Sequence, residues 1–488
     1  MKKLPDEKDL ASRPRPYFNH SVEMKKIFSA EERADVLQKV GLNVFFFPSE
    51  MITGCDLLSD SGVTTMTNEQ WAALHIGDEA YGSNRGYFLL RDQIRTTFGD
   101  CFFNEPGEEA PNAFLFHQGR ASEDALFTQI GKLGSELIIP SNGHFDTTGA
   151  NIEANGMTAL NLFADDLSSN SANHFKGNMN VDRLRSLMAE SADRIPLVYL
   201  TVTNNTAGGQ PVSMANIKEV AQVAHGYGIP LFFDACRFAE NAWFIQNHEA
   251  GYKSKEIDAI VREMFGSVDG FTISYKKDGL VNMGGGLFIR NDGLFSKKYP
   301  GLAERILDYQ ILKEGHPTYG GLSGRDIMAL AVGLKLVTKG AYLAHRIGQV
   351  RQFGEGMRSA GIPIIAPTGG HAVYVDVNRF FEGTDMKPDD FGGVSLCAVL
   401  LGAYGHRACE LGYFTFGRYD RKKKFEVVPE VNFVRFAVPR LRYERDDLDA
   451  VVQAMKALHD NKDVIPGVRV TYGRELSLRH FKARFEFK

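Results

Sequence analysis

Between residues 113 and 291 the chain repeats one pattern: a short apolar segment, then a stretch with helical spacing. AFLFHQG (113–119) reads as a strand and ASEDALFTQIGKLG as the helix after it. ELIIPS (136–141), LVYLTVT (197–203), IPLFFDA (229–235), FTISYKK (271–277) and GGLFIRN (285–291) repeat the strand signal. MANIKEVAQVAHGYG sets Ile217, Val220, Ala221 and Ala224 on one helical face, and Gly226 and Gly228 stop it. Strands alternating with helices predict an α/β fold, a mostly parallel sheet covered on both faces. Ligands bind such sheets beyond the carboxyl ends of the strands. Polar residues fall at those ends: Gln118 and Arg120, Asn204 and Asn205, Asp234, and Lys276 and Lys277.

The 488 residues suffice for two domains at ~100–200 residues each. From about residue 335 helical stretches (326–360, 446–460) flank short strands, HAVYVDV (371–377) and VNFVRFAVP (431–439). We expect a large domain over 61–335, a smaller α+β domain over 336–488, and an N-terminal arm over 1–60 that contributes to the small domain. A net charge of −4 argues against a nucleic-acid partner. The start shows no secretory pattern, and no run approaches the ~20 apolar residues of a membrane helix. Five widely spaced cysteines without a CxxC read as reduced thiols. The expectation is a cytoplasmic protein with neither membrane nor nucleic acid as partner. The run Arg421 to Lys424 reads as a solvated hairpin tip, and FFNEPGEEAP (102–111) as a surface loop. Gly284 to Gly286 lack the GK[ST] of a phosphate-binding P-loop, so these glycines read as sites of close backbone approach.

A lysine at a strand end is ordinarily solvated, and an Asp there ordinarily caps a turn. Lys277 and Asp234 together say more. A Schiff-base lysine must be buried enough to lose its proton. A carboxylate facing the pyridine nitrogen of pyridoxal phosphate (PLP) keeps that nitrogen protonated and the ring electron-poor. Asp before Lys, each at a strand end, is the order found in fold-type I PLP enzymes.

Here a resemblance becomes specific. TNNTAGGQPVSMAN (203–216), FDACRFAENAWFI (233–245), SYKKDGLVNMGG (274–285) and EGHPTYGGLSGRD (314–326) resemble the tryptophanase and tyrosine phenol-lyase family of β-eliminating lyases. So do DLLSDSG (56–62), GDEAYGSNRGYF (77–88), HQGRASED (117–124) and LRHFKARF (478–485). The resemblance runs over roughly residues 40 to 488 and implies a fold-type I, aspartate aminotransferase-like chain with PLP as cofactor. Lys277 would carry the cofactor, Asp234 would pair with the pyridine nitrogen, and Arg237 would lie beside it. Asn205 would bond the phenolic oxygen and Phe145 would stack on the ring. Gln118, Gly119, Arg120 and Ser274 would hold the phosphate, in keeping with an anion at a helix N-terminus. Gly62, Glu79 and Asn282 match the ligand positions of a monovalent cation, typically K+. Arg435 matches the arginine that binds the substrate carboxylate. Ser59 stands where the family usually has Thr and keeps its hydroxyl. Tyr81 matches a tyrosine that protonates the leaving group. The family's assembly implies a homotetramer with active sites shared between subunits.

Three positions separate the sister activities. Leu411 stands where phenol-lyases carry an arginine for the phenolic oxygen. Asp146 and His480 stand where tryptophanases carry Asp and His and phenol-lyases carry Thr and Phe. All three imply β-elimination of L-tryptophan to indole, pyruvate and ammonia. The alternatives are a tyrosine phenol-lyase, a C–S β-lyase acting on cysteine-like amino acids and, from another class, a non-catalytic PLP-fold binding protein. The retained Lys277, Asp234, Arg237 and Arg435 argue against the last. Tyr275, where the family has a small residue, and Gly143–His144, where it tends to be aromatic, depart from the pattern.

Overall fold

The computed structural model describes residues 15–19, 21–104, 111–167, 171–420, 422–423 and 425–488. The large sheet has seven strands: β1 Ala113–Phe116, β2 Ile138–Ser141, β3 Thr158–Asn161, β4 Val198–Thr201, β5 Leu231–Asp234, β6 Gly270–Ser274 and β7 Gly285–Ile289. Their order is β1-β7-β6-β5-β4-β2-β3. β7 runs against β1 and β6, and the other pairs are parallel. The central strands β2, β4, β5 and β6 are buried along their whole length, which is why they read as unbroken apolar runs. β3 escaped the sequence reading because TALN is a half-exposed edge strand without such a run.

Glycines let three chain segments meet at the sheet's edge. A Cβ on Gly285 would lie 2.2 Å from the carbonyl carbon of Gln118, and one on Gly119 would lie 2.5 Å from Ser274 Cβ. The turn after β1, the end of β6 and the start of β7 therefore converge where no side chain fits between them. Tyr275 does not crowd this junction. It is fully buried on the far side, where Gly279 and Gly284 make room for its Cβ.

A second core is built from residues of 37–57 and 350–485. Its sheet has β8 Ala372–Asp376 and β9 Cys409–Leu411 flanking a later strand. A hairpin follows, β10 Arg418–Asp420 and β11 Phe425–Val427; Arg421 and Lys424 at its tip lie outside the described residues. So do residues 105–110 of the segment 102–111. β12 Phe433–Ala437 is the middle strand, antiparallel to both β8 and β9. β13 Val468–Tyr472 and β14 Arg484–Phe487 form a last pair. The N-terminal segment joins this body: Leu57 N–H donates to Arg407 O at 2.8 Å, and Arg407 pairs with Asp56 at 2.6 Å.

The helical stretch 326–360 is two helices, Gly324–Leu336 and Gly340–Ser359, bent by 84° at the break between them. Thr338 and Gly340, weak helix formers, sit at that break. The second helix crosses between bodies. Its Leu343 and Ile347 pack in the large core, and its Val350, Phe353 and Met357 in the small one. No single helix among the described residues is long and apolar enough to cross a membrane.

A buried ion network locks the two cores together. Arg440, fully buried, donates to Asp60 Oδ2 at 2.9 Å, Glu240 Oε1 at 2.7 Å and Asp278 Oδ1 at 2.9 Å. Arg237 grips both oxygens of Asp60, at 3.0 and 2.7 Å, and Arg346 Nε donates to Glu240 Oε1 at 3.0 Å. Three guanidinium groups thus meet three carboxylates out of water. Burial alone would raise the Asp60 pKa, but Arg237, His371 and Arg440 hold it well below the usual carboxylate range. Replacing Arg440 with methionine strands buried carboxylates, which typically costs about 3–5 kcal/mol. We expect a fall of roughly 3–5 °C in melting temperature by thermal unfolding. Lys456→Ala, which breaks only the exposed pair with Asp460, is expected to leave it unchanged.

Candidate active site

The carboxyl ends of β1, β2, β4, β5 and β6 open onto a cavity of ≈ 250 Å³. Gln118, Gly119, Arg120, Phe145, Asp146, Asn205, Asp234, Arg237, Ser274 and Lys277 line it from the large domain, and Leu411, Arg435 and His480 from the small one. Ser59 lines it from the segment that crosses between them. Residues taken from nine separated stretches of sequence therefore share one space.

One end of the cavity suits an anion. The helix Gly119–Ile130 begins there, and its N-cap, Gln118, makes no side-chain cap. Its first N–H groups are therefore available to a phosphate. Arg120, Lys276 and Lys277 stand close by. Burial and then the charges of Lys277 and Arg120 lower the Lys276 pKa, so these cations crowd one another until an anion joins them.

The floor suits a pyridinium ring. Asp234 ends β5 and is 5% exposed. The Cys236 thiol donates to its Oδ1 at 2.7 Å, and Lys277 Nζ approaches the same sulfur at 3.9 Å. Phe145, the residue just before the helix Asp146–Ala154, supplies an aromatic face, with the Arg435 guanidinium 5.9 Å from its ring centre. Asn205 Oδ1 is saturated: it accepts from Tyr374 OH at 2.5 Å, His371 Nε2 at 3.1 Å and Arg435 Nη1 at 3.2 Å. That leaves the amide NH2 of Asn205 as the donor for the cavity. Burial and then the Arg237 charge hold the His371 pKa well below its usual value. A neutral His371 that donates through Nε2 leaves Nδ1 without a proton, and Nδ1 has no partner among the described residues. Anion seat, carboxylate, amide donor, aromatic face and lysine together fit PLP.

Arg435 donates to Leu58 O at 2.9 Å, while its buried Nε has no partner among the described residues. A guanidinium lining the cavity suits a substrate carboxylate. Register explains the wall: Arg435 pairs with Tyr374 and Cys409, and Phe433 with Leu411, so these five side chains share one face of the small sheet. Phe45, Leu58 and Phe481 extend its apolar part.

Asp146 and His480 meet across the domain boundary. His480 Nε2 lies 2.9 Å from Asp146 Oδ2, with the side chains 6% and 5% exposed. The turn that carries His480 is pinned by Asn43, whose amide donates to His480 O at 3.0 Å, and by Arg479, paired with Glu426 at 3.0 Å. The two tryptophanase-like positions thus form one buried pair at the cavity wall.

Four expected site residues do not line the cavity. Tyr81 is 68% exposed and packs against Tyr319 and His316. Glu79 is 71% exposed at its side chain and pairs with Arg325 at 3.0 Å. Gly62 and Asn282 adjoin each other, since a Cβ on Gly62 would lie 3.0 Å from Asn282 O, but Glu79 pairs elsewhere. His144 is also a structural residue: burial pulls its pKa down to about 4, and Nε2 donates to Ile139 O at 2.8 Å.

Sequence reasoning missed Glu123, Cys236, Tyr374 and His371. Glu123 was findable, since it shares the buried helical face of Gly119, Leu126 and Ile130. Its carboxyl accepts from the Thr148 hydroxyl at 2.7 Å. Burial, and then repulsion from Asp234, push its pKa up, and the Thr148 hydroxyl pulls it back. Tyr374 and His371 act through Asn205, a contact across more than 160 residues that no local pattern announces.

Comparison with known proteins agrees with this geometry. The family model for β-eliminating lyases matches residues 56–454. A tryptophanase from Salinibacter ruber is 40% identical over 474 residues, 97% of this chain and 95% of its own. A tyrosine phenol-lyase from Lacrimispora saccharolytica is 39% identical over 477 residues, 97% of each chain. In structure the chain is similar to a threonine aldolase from Leishmania major (TM-score 0.53, 16% identity, 83% of this chain and 99% of that one). It is also similar to a serine palmitoyltransferase from Sphingomonas wittichii (TM-score 0.52, 15% identity, 85% and 89%). The architecture is that of fold-type I PLP enzymes, and the chain belongs to the β-eliminating lyase family as a PLP-dependent lyase.

Proposed function

We propose that this lyase is a tryptophanase, cleaving L-tryptophan to indole, pyruvate and ammonia. The observation that carries the reading is the buried Asp146–His480 pair beside the apolar wall of Leu411, Phe45 and Phe481. An indole has one N–H and a large apolar face. A carboxylate can accept from that N–H, and Leu411 leaves no cation to hold a phenolate.

The residues divide the work as follows. Arg435 holds the substrate carboxylate with its guanidinium, and the Ser59 hydroxyl assists. Gln118, Gly119, Arg120 and Ser274 would seat the cofactor phosphate, Asp234 would pair with its pyridine nitrogen with Arg237 beside it, and Asn205 would bond its phenolic oxygen. Bound PLP supplies an electron sink for the pair left when Cα loses its proton. Lys277, the residue that anchors the cofactor, takes that proton. Asp146, held by His480, draws on the indole N–H while the ring carbon of the leaving group gains a proton. Leu58, Leu411 and Phe481 keep water from the departing ring. Tyr81, exposed in the single chain, serves the site of a neighbouring subunit in a homotetramer. Gly62 and Asn282 contribute oxygens to a K+ site that Glu79 completes in the same assembly.

Three measurements test this. The protein loaded with PLP and K+ is given L-tryptophan, L-tyrosine and S-methyl-L-cysteine in parallel, and pyruvate, indole and phenol are read. Indole with pyruvate from tryptophan is expected; phenol from tyrosine without indole overturns the reading in favour of a phenol-lyase. Lys277→Ala is expected to release no pyruvate from any of the three. Asp146→Ala and His480→Phe are each expected to lower kcat/KM for tryptophan on the order of 100-fold more than for S-methyl-L-cysteine, whose leaving group has no N–H.

A further inference from the structure

His480 stands between two spaces. One is the main cavity, where Nε2 is spent on Asp146 at 2.9 Å. The other is a separate cavity of ≈ 30 Å³, lined by Val44, Val394 and Phe414 and, among its polar groups, by Glu410, Thr415 and His480. About 10–15 Å³ is enough for one water where polar partners exist.

Those partners are present. His480 Nδ1 is buried and has no hydrogen-bond partner among the described residues. Glu410 is 8% exposed. Its Oε1 accepts from Phe414 N–H at 3.0 Å, and its Oε2 from Thr415 N–H at 2.9 Å and Thr415 Oγ1 at 2.7 Å. A carboxylate has about four acceptor directions, so one is left over. Asn43, the other amide in the lining, is already used: it donates to His480 O and Ala483 O and accepts from Phe45 N–H. Burial raises the Glu410 pKa, and the Thr415 hydroxyl, the Phe414 amide and His480 pull it back. The carboxyl is therefore within electrostatic reach of the ring.

We propose that Glu410 is a positioning residue for His480, acting through one ordered water held between its carboxyl and His480 Nδ1. The row Asp146–His480–water–Glu410 then fixes the ring's rotation. A flip of the imidazole would turn a carbon towards Asp146 and another towards the water, losing both bonds. Asp146 Oδ1 already accepts from Thr147 N–H at 2.6 Å, so a fixed His480 settles the rest of the carboxylate for the substrate N–H. The catalytic consequence rests on the tryptophan reading; the water does not.

A crystal structure of the unaltered holoenzyme tests the water directly. A water within about 2.7–3.2 Å of both His480 Nδ1 and a Glu410 oxygen is expected. An empty space, or Nδ1 turned to another partner, overturns the proposal. Kinetics test the consequence. Glu410→Gln is expected to lower kcat/KM for tryptophan about 10-fold more than for S-methyl-L-cysteine, and to add no further loss in a His480→Phe background. Equal losses on both substrates, or a loss that adds to that of His480→Phe, would show that Glu410 only supports the fold. If the unaltered enzyme releases no indole, the tryptophan reading fails alone, and the crystal structure still decides whether Glu410 and His480 share a water.

Discussion

Everything at this site depends on Arg440. Its fully buried guanidinium stands among Asp60, Glu240 and Asp278, carboxylates brought by the N-terminal segment, the start of the helix Phe238–His248, and the turn after Lys277. Burying charges is expensive and is repaid only when the geometry is close and further hydrogen bonds satisfy the charged groups; here Nη1 and Nη2 of Arg440 are matched to carboxylates, while its Nε has no partner among the described residues. The demand for matching fixes distances between segments that share no backbone. Asp60 then holds Arg237 at the cavity floor, and Asp278 accepts from the N–H groups of Ala239 and Glu240 at the start of the next helix. The turn that ends with Lys277 is thereby tied to the helix that follows Asp234. The lysine and the carboxylate, 43 residues apart in sequence, owe their relative placement to a network that neither belongs to.

Much of this was legible in the sequence, for a physical reason. Fully buried parallel strands must be continuous apolar runs, so the polar residues that end them stand out. Lys277, Asp234, Asn205 and Gln118 were found that way, and the cavity lies at their strand ends. The failures have equally specific causes. β3 is a short half-exposed edge strand and lacks the run. The helical stretch 326–360 keeps its apolar spacing across a break that turns the chain by 84°. Tyr374, His371 and Asp60 matter through partners far away in the chain, and local pattern carries no trace of such pairing. Tyr81 and Glu79 show another limit: the motifs name them, but a single chain leaves both exposed.

The small domain contributes through alternation rather than through loops. On β12 and β9, Arg435, Cys409 and Leu411 line the cavity and Phe433 shares their face, while Val434 and Glu410, between them, face the other way. One strand pair thus sets a guanidinium and an apolar wall on the same side of the cavity, at a spacing set by the pleat. A one-residue slip of β9 would exchange Leu411 for a carboxylate at the wall. Glu410 resists that slip, because Phe414 and Thr415, just past the strand, are both bound to its side chain.

The same alternation explains how a chain of this family can choose its leaving group with few changes. The residue on the cavity face of β9 sets whether the wall holds a charge or a hydrocarbon. Its neighbour on the opposite face stands beside the space behind His480. On the function and the Glu410 role proposed above, a tryptophan-type wall uses both residues of the dipeptide: Leu411 to leave the indole face dry, and Glu410 to steady the imidazole that orients Asp146. Substituting Leu411 alone changes what the wall can bind but leaves the Asp146–His480 pair aimed at an N–H. Exchange of specificity by a single residue at this wall should accordingly be incomplete, because the determinants sit on both sides of one edge strand and on a turn near the C-terminus that meets it only in the folded chain.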